Sequence, residues 1–179
     1  MNNYTKILEK IFERPEYHFY IRELAKETNL HPNTIISITN KLEREGVVKK
    51  NKGKVLVEIY CDVESQIYKR KKQIFNLNSL YSSGLIDFLT DFFDIPRAVV
   101  LMGSYLRGED FSRGDIDVAV ISNKKERPDL RKYEKLLKRN IHLLVFDYKD
   151  ISREFLNNLI NGFVLYGYLE YDRIQILFR

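Results

Sequence analysis

The chain has 179 residues, 44% hydrophobic and 13% aromatic, enough apolar material for one ordinary domain or two small ones. No apolar run approaches the length of a membrane-spanning helix, Met1 to Lys6 carry no apolar signal region, and a lone Cys61 excludes both an intramolecular disulfide and a zinc site built from cysteine pairs, so a cytoplasmic location is expected. The net charge of +5 suits an acidic partner such as nucleic acid without demanding one.

The first segment shows helical spacing in Tyr4, Ile7, Leu8, Ile11 and Phe12, ended by Pro15. Phe19-Tyr20-Ile21 reads as a short strand. Arg22 to Thr28 reads as a second helix with Leu24 and Ala25 inward. After a turn at Asn29-Leu30-His31, Pro32 suits the first position of a third helix, which runs to Glu45 and stops at Gly46. Ile35, Ile38 and Leu42 form its apolar stripe. Val47 to Tyr60 then reads as a hairpin turning at Asn51-Lys52-Gly53.

Ile21-Arg22-Glu23-Leu24-Ala25-Lys26, Asn33-Thr34-Ile35-Ile36-Ser37 and Leu42-Glu43-Arg44-Glu45-Gly46-Val47-Val48 together resemble a winged helix-turn-helix domain. The resemblance implies a third helix that enters the major groove of double-stranded DNA and a wing that touches its backbone. The helix offers Asn33, Thr34, Ser37, Asn40, Lys41 and Arg44 for bases and phosphates, and the wing offers Lys49, Lys50, Lys52 and Lys54. The plainer alternative is a solvated turn on a domain used only for protein contacts. Regulators of this kind commonly act as homodimers on paired half-sites.

Val63 to Phe93 reads as a long helical stretch, broken near Ser82-Ser83-Gly84, with an amphipathic seam through residues 63, 67, 74, 77, 81, 85, 88 and 92. Lys69-Arg70-Lys71-Lys72 in its middle is expected to be a solvated face, the alternative being a second nucleic-acid site. Asp94-Ile95-Pro96 ends the stretch.

An apolar strand from Arg97 to Met102 then runs into Gly103-Ser104, and after a polar loop a second apolar strand opens with Asp115-Ile116-Asp117. Side chains two apart on a strand share a face, so Asp115 and Asp117 are expected to project together toward one divalent cation. Gly103 lets backbone approach a ligand, and Ser104 starts a helix whose N–H groups and hydroxyl suit a phosphate. In type, order and spacing these residues resemble the nucleotidyltransferase superfamily, in its minimal form related to DNA polymerase beta and kanamycin nucleotidyltransferase. That resemblance implies Mg²⁺ on Asp115 and Asp117, a nucleoside triphosphate at Gly103 and Ser104, and a third carboxylate near the start of the neighbouring strand. The neighbouring strand here is Asn140 to Asp147, and His142 holds the acid's place. His142 either packs beside the site or substitutes as metal ligand or base. Asp147 falls on the opposite face, and Asp150 reads as the N-cap of a helix over Ser152 to Asn161. Asp129 to Lys138 reads as a further helix. Phe163 to Phe178 is left unassigned, apart from completing the core.

The expected architecture is mixed: a winged helix-turn-helix over residues 1–62, a connecting helical segment over 63–94, and a small mixed-sheet α/β nucleotidyltransferase-like domain over 95–179. The leading functional expectation is a DNA-binding regulator whose second domain binds nucleotide and metal or is catalytically degenerate. The alternative is an active Mg²⁺-dependent enzyme moving a nucleoside monophosphate to a protein, nucleic-acid or small-molecule hydroxyl, an antitoxin-like role included. The catalytic candidates are Asp115, Asp117 and His142.

Overall fold

The computed structural model describes residues 2–53 and 56–170, and the chain divides into two compact units, Met1–Phe75 with Arg107–Ser112, and Asn76–Leu106 with Arg113–Arg179. Among the described residues no helix is long and apolar enough to cross a membrane.

The first unit runs α1 (Asn3–Glu13), β1 (Phe19–Tyr20), α2 (Ile21–Thr28), α3 (Pro32–Arg44), β2 (Val48–Lys52) and β3 (Val57–Cys61), and then enters α4 (Gln66–Ser83). Local chemistry sets the helix ends. The Asn2 side chain accepts the Thr5 N–H, the Tyr20 N–H donates to the Glu23 carboxylate, and Pro32 opens α3. The three strands pair antiparallel in the order β1-β3-β2. Ile7, Ile11 and Phe12 of α1, Leu24, Ile35, Leu42 and Ile59 are buried together, each worth roughly 1.5–3 kcal/mol of hydrophobic stabilisation. Cys61 lies in this core, where burial pushes its thiol up to about 12.

Three expectations change here. Asn51 and Lys52 continue β2, so the hairpin turns later, with the Gly53 N–H donating to the Leu56 carbonyl at 3.0 Å. Lys54 lies outside the described residues. The seam of α4 is also different: Ile67, Ile74 and Tyr81 are exposed, while Tyr68, Lys72, Asn76 and Leu80 are buried. The buried set repeats every four residues, as a helix face requires, and its two polar members hide the pattern from a search for apolar residues. Lys72, expected in solvent, is 1% exposed on its side chain.

In the second unit Gly84 turns the chain in a left-handed conformation (φ 75°) between α4 and α5 (Leu85–Phe92). There follow β4 (Ala98–Met102), α6 (Gly103–Arg107), β5 (Ile116–Ile121), α7 (Arg131–Leu137), β6 (Ile141–Phe146), a 3₁₀ turn (Tyr148–Asp150), α8 (Arg153–Ile160) and β7 (Phe163–Gly167). The sheet order is β6-β5-β4-β7, with β5 and β6 parallel and the other pairs antiparallel. β7 gives Phe163–Gly167 the assignment that sequence reasoning lacked. Residues 171–179 lie outside the described residues.

Both faces of this sheet are covered, which is why its strands are apolar runs rather than alternating ones. Val99, Leu101, Val118, Val120 and Leu143 pack on one face with Leu85, Leu89 and Tyr133. Ala98, Val100, Met102, Ala119 and Ile121 pack on the other with Leu156 and Leu159 of α8. Asp117 and His142 belong by strand alternation to this second face. The cap of α8 is a further correction: the Ser152 hydroxyl accepts the Phe155 N–H at 3.2 Å, while Asp150 pairs with Lys125 at 2.6 Å.

Candidate functional site

The site forms where β4 ends and β5 and β6 begin. Met102, the last residue of β4, pairs with Asp117, and Asp117 pairs across the parallel ladder with His142. The Asp117 side chain is held between two features. Its Oδ1 lies 3.0 Å from His142 Nδ1. Its carboxyl group covers the α-carbon of Gly103, where an added Cβ would collide with Oδ2 and stand 3.2 Å from Cγ. Gly103 also has φ 74°, a left-handed conformation that costs an L side chain about 1–2 kcal/mol. Both features favour glycine at that position. Ser104 follows in the first turn of the five-residue α6 and is half-buried.

Asp115 departs from the expectation. β5 begins at Ile116, so Asp115 stands in the approach to the strand and is exposed. Its Oδ1 accepts a hydrogen bond from Asn140 Nδ2 at 3.3 Å. The two acids thus meet two residues, Asn140 and His142, which are themselves spaced by two along the approach to β6 and the strand itself. Sequence reasoning missed Asn140. Its signal was present: it precedes His142 by the same interval that separates the two acids.

The residue opposite Asp117 on β6 is His142. Asp147 lies past the end of β6, with Oδ2 3.6 Å from Lys149 Nζ. Beside His142 opens a cleft of about 310 Å³, lined by Arg127, Pro128, Asp129, Leu130, Glu134, Ile141, His142 and Leu143. Its carboxylates are already engaged. Arg131 holds Asp129 down to about 2, and Glu134 Oε1 accepts the Ile141 N–H at 3.1 Å.

Among the described residues no three His, Cys, Asp or Glu side chains gather as a metal cage. Mg²⁺ does not require one, because it is commonly held by one or two carboxylates together with substrate phosphates. Asp117, with Asp115 two residues before it, supplies hard oxygen donors of that kind. The donor set fits a cation delivered with a triphosphate.

The proposed nucleic-acid residues of the first unit are distributed unevenly. Asn33, Ser37, Asn40, Lys41 and Arg44 are exposed on α3, and Thr34 is half-buried. The lysines of β2 alternate between its two faces. Lys49 reaches Asp62 at 2.8 Å, and that contact raises its pKa. Lys50 folds against α3, donating to Asn40 Oδ1 at 2.5 Å with Glu43 3.9 Å away. Burial lowers its pKa. Lys52 is exposed at the end of the strand.

No curated protein and no solved structure matches the chain. A family model described as the nucleotidyltransferase domain matches residues 82–165, from the last turn of α4 into β7, so the second unit carries a nucleotidyltransferase domain with Gly103, Ser104, Asp115, Asp117 and His142 all inside the matched span.

Proposed function

We propose that the nucleotidyltransferase domain binds a nucleoside triphosphate with Mg²⁺ and transfers nucleotide slowly or not at all, in a protein that regulates through DNA binding. The observation that carries the reading is the 3.0 Å contact between His142 Nδ1 and Asp117 Oδ1, on the register position where the family's third acid belongs. Asp115 and Asp117 would hold Mg²⁺, and Gly103 and Ser104 would face the phosphates. A bound Mg²⁺ neutralises phosphate charge and polarises the reacting phosphoryl oxygen. An imidazole bonded to Asp117 orients that carboxylate but adds no negative charge for a second cation. Transfer is tested by following label from α-labelled ATP, GTP, CTP or UTP to protein, RNA or an added hydroxyl acceptor. The expected result is nucleotide binding without significant turnover. Robust turnover that survives His142→Ala would favour the enzyme reading, including modification of a partner protein.

The DNA-binding part of the proposal rests on the exposed polar and basic face of α3, beside an antiparallel hairpin. Lys41, Arg44 and Lys52 are exposed there, whereas Lys49 and Lys50 meet Asp62, Glu43 and Asn40. Replacing Lys41, Arg44 and Lys52 with alanine is therefore expected to weaken duplex binding for all sequences and to lower the salt slope by about one for each phosphate no longer neutralised. Lys49→Ala should change it far less. Asn33→Ala or Ser37→Ala should shift sequence preference instead. Fluorescence anisotropy against a randomised duplex at several salt concentrations reads all three, and no binding at low salt would end this part. A dimer on two half-sites would appear as a two-step dependence on protein concentration.

A further inference from the structure

Within the first unit, Lys50 of β2 meets Asn40 of α3, and the chemistry of that contact fixes one side chain on the exposed face of the helix. Lys50 pairs with the buried Ile59 on the β2–β3 ladder, so its side chain belongs to the covered face of the small sheet and runs toward α3. That side chain is 4% exposed, and its Nζ donates to Asn40 Oδ1 at 2.5 Å, with Glu43 Oε2 3.9 Å away. An ammonium withdrawn from water to that extent needs acceptors, and these are the ones it meets. Asn40 itself is exposed. Asn33, Ser37 and Asn40 recur at the spacing of one helix face.

A carboxamide carries an acceptor and a donor on arms of nearly the same shape, and in most surroundings it can turn over. Here it cannot. An ammonium is a donor only, so a flipped Asn40 would set its Nδ2–H bonds against those of Nζ. Oδ1 is therefore turned to Lys50, and the Nδ2 amino group is left to face outward. We infer that Lys50 is a positioning residue that makes Asn40 a donor toward the major groove of duplex DNA, selecting guanine over adenine at the base pair it meets. Asparagine reads adenine by accepting from the N6 amino group while donating to N7, which needs Oδ1 facing the base rather than Lys50. Guanine presents two acceptors on that edge, N7 and O6, and both suit a donor. Lys41 and Arg44, exposed on the same helix, supply positive charge for the phosphates beside such a base. The base choice rests on the DNA-binding reading of α3, whereas the orientation of the carboxamide does not.

The test is base selection from a randomised duplex at low salt by the full chain, as wild type, Asn40→Ala and Lys50→Met. Asn40→Ala identifies the base pair, as the position whose preference it erases. There the wild type is expected to favour guanine over adenine by about tenfold. Lys50→Met, whose apolar end cannot hold Oδ1, should exchange that preference for adenine. A merely structural Lys50 would weaken binding to all sequences alike and move no base preference. The melting temperature of Lys50→Met reports whether it folds. If it does not, a measurement on the wild type decides: replacing N7 of the selected guanine by C–H should weaken binding about fivefold. Adenine preference in the wild type, guanine preference kept by a folded Lys50→Met, undiminished binding of the N7 analogue, or no position altered by Asn40→Ala would each overturn the inference while duplex binding stands. No binding of any duplex at low salt would overturn the DNA-binding reading, and the base choice with it.

Discussion

Gly103→Ala is expected to abolish the rise in melting temperature that the proposed binding of Mg²⁺-ATP would give the wild type. The added methyl would occupy the space of the Asp117 carboxylate, at a backbone with φ 74°. Asp117 must then swing away, and its bond with His142 breaks as it moves. Backbone strain alone costs about 1–2 kcal/mol, which corresponds to a melting-temperature drop of about 2–8 °C for a chain of this size. A control separates strain from site. Gly84 has nearly the same left-handed backbone, φ 75°, but a Cβ there meets nothing within 4 Å. Gly84→Ala should therefore lower the melting temperature by a comparable amount and keep the full response to Mg²⁺-ATP. A scan of both variants with and without ligand is sufficient. If Gly103→Ala keeps the response, the carboxylate at Asp117 is not part of a nucleotide site.

His142→Asp is expected to raise nucleotide transfer. The register opposite Asp117 places the new carboxylate where the family's third acid is expected. General-base assistance is typically worth about 10²–10⁴-fold, so label transfer to a supplied hydroxyl acceptor should rise by about that factor over wild type. The same substitution puts two carboxylates where an imidazole now meets one at 3.0 Å. Without a cation they repel, so the variant should melt lower than wild type in chelator and gain more on addition of Mg²⁺. His142→Asn, equally polar but unable to act as a base, should show neither change. Equal transfer by wild type, His142→Asp and His142→Asn would mean that the residue opposite Asp117 plays no part in proton transfer.

Most of the second unit's sheet was legible because its signals are local. Val99 to Met102 and Ile116 to Val120 are continuous apolar runs, and a strand covered on both faces needs nothing else. Gly103 was legible because a strand that ends in glycine before a helix is a tight turn. His142 was singled out because the family resemblance puts an acid near the start of that strand, and on the ladder His142 pairs with Asp117. The break at Gly84, the opening of α3 at Pro32 and the order of elements in the first unit were readable for the same reason: caps and breakers act within a few residues of themselves.

What sequence alone could not decide are features set by partners far along the chain. A run of Lys69-Arg70-Lys71-Lys72 looks solvated, because nothing nearby tells which lysine faces inward. Only the helix phase set by Tyr68, Asn76 and Leu80, together with Asp110 38 residues away, makes Lys72 a buried ion. The wing lysines read as one basic cluster in sequence, yet strand alternation sends Lys49 to Asp62 and Lys50 to Asn40. β7 lacks a clear pattern because its outer residues Phe163 and Val164 are apolar but exposed on an edge strand, and only pairing with β4 defines it. Residue types, spacing and local breaks fixed which chemistry the chain carries. Long-range packing decided which charges remain available to use it, since an ion's partner is chosen by distance in space and not by distance along the chain.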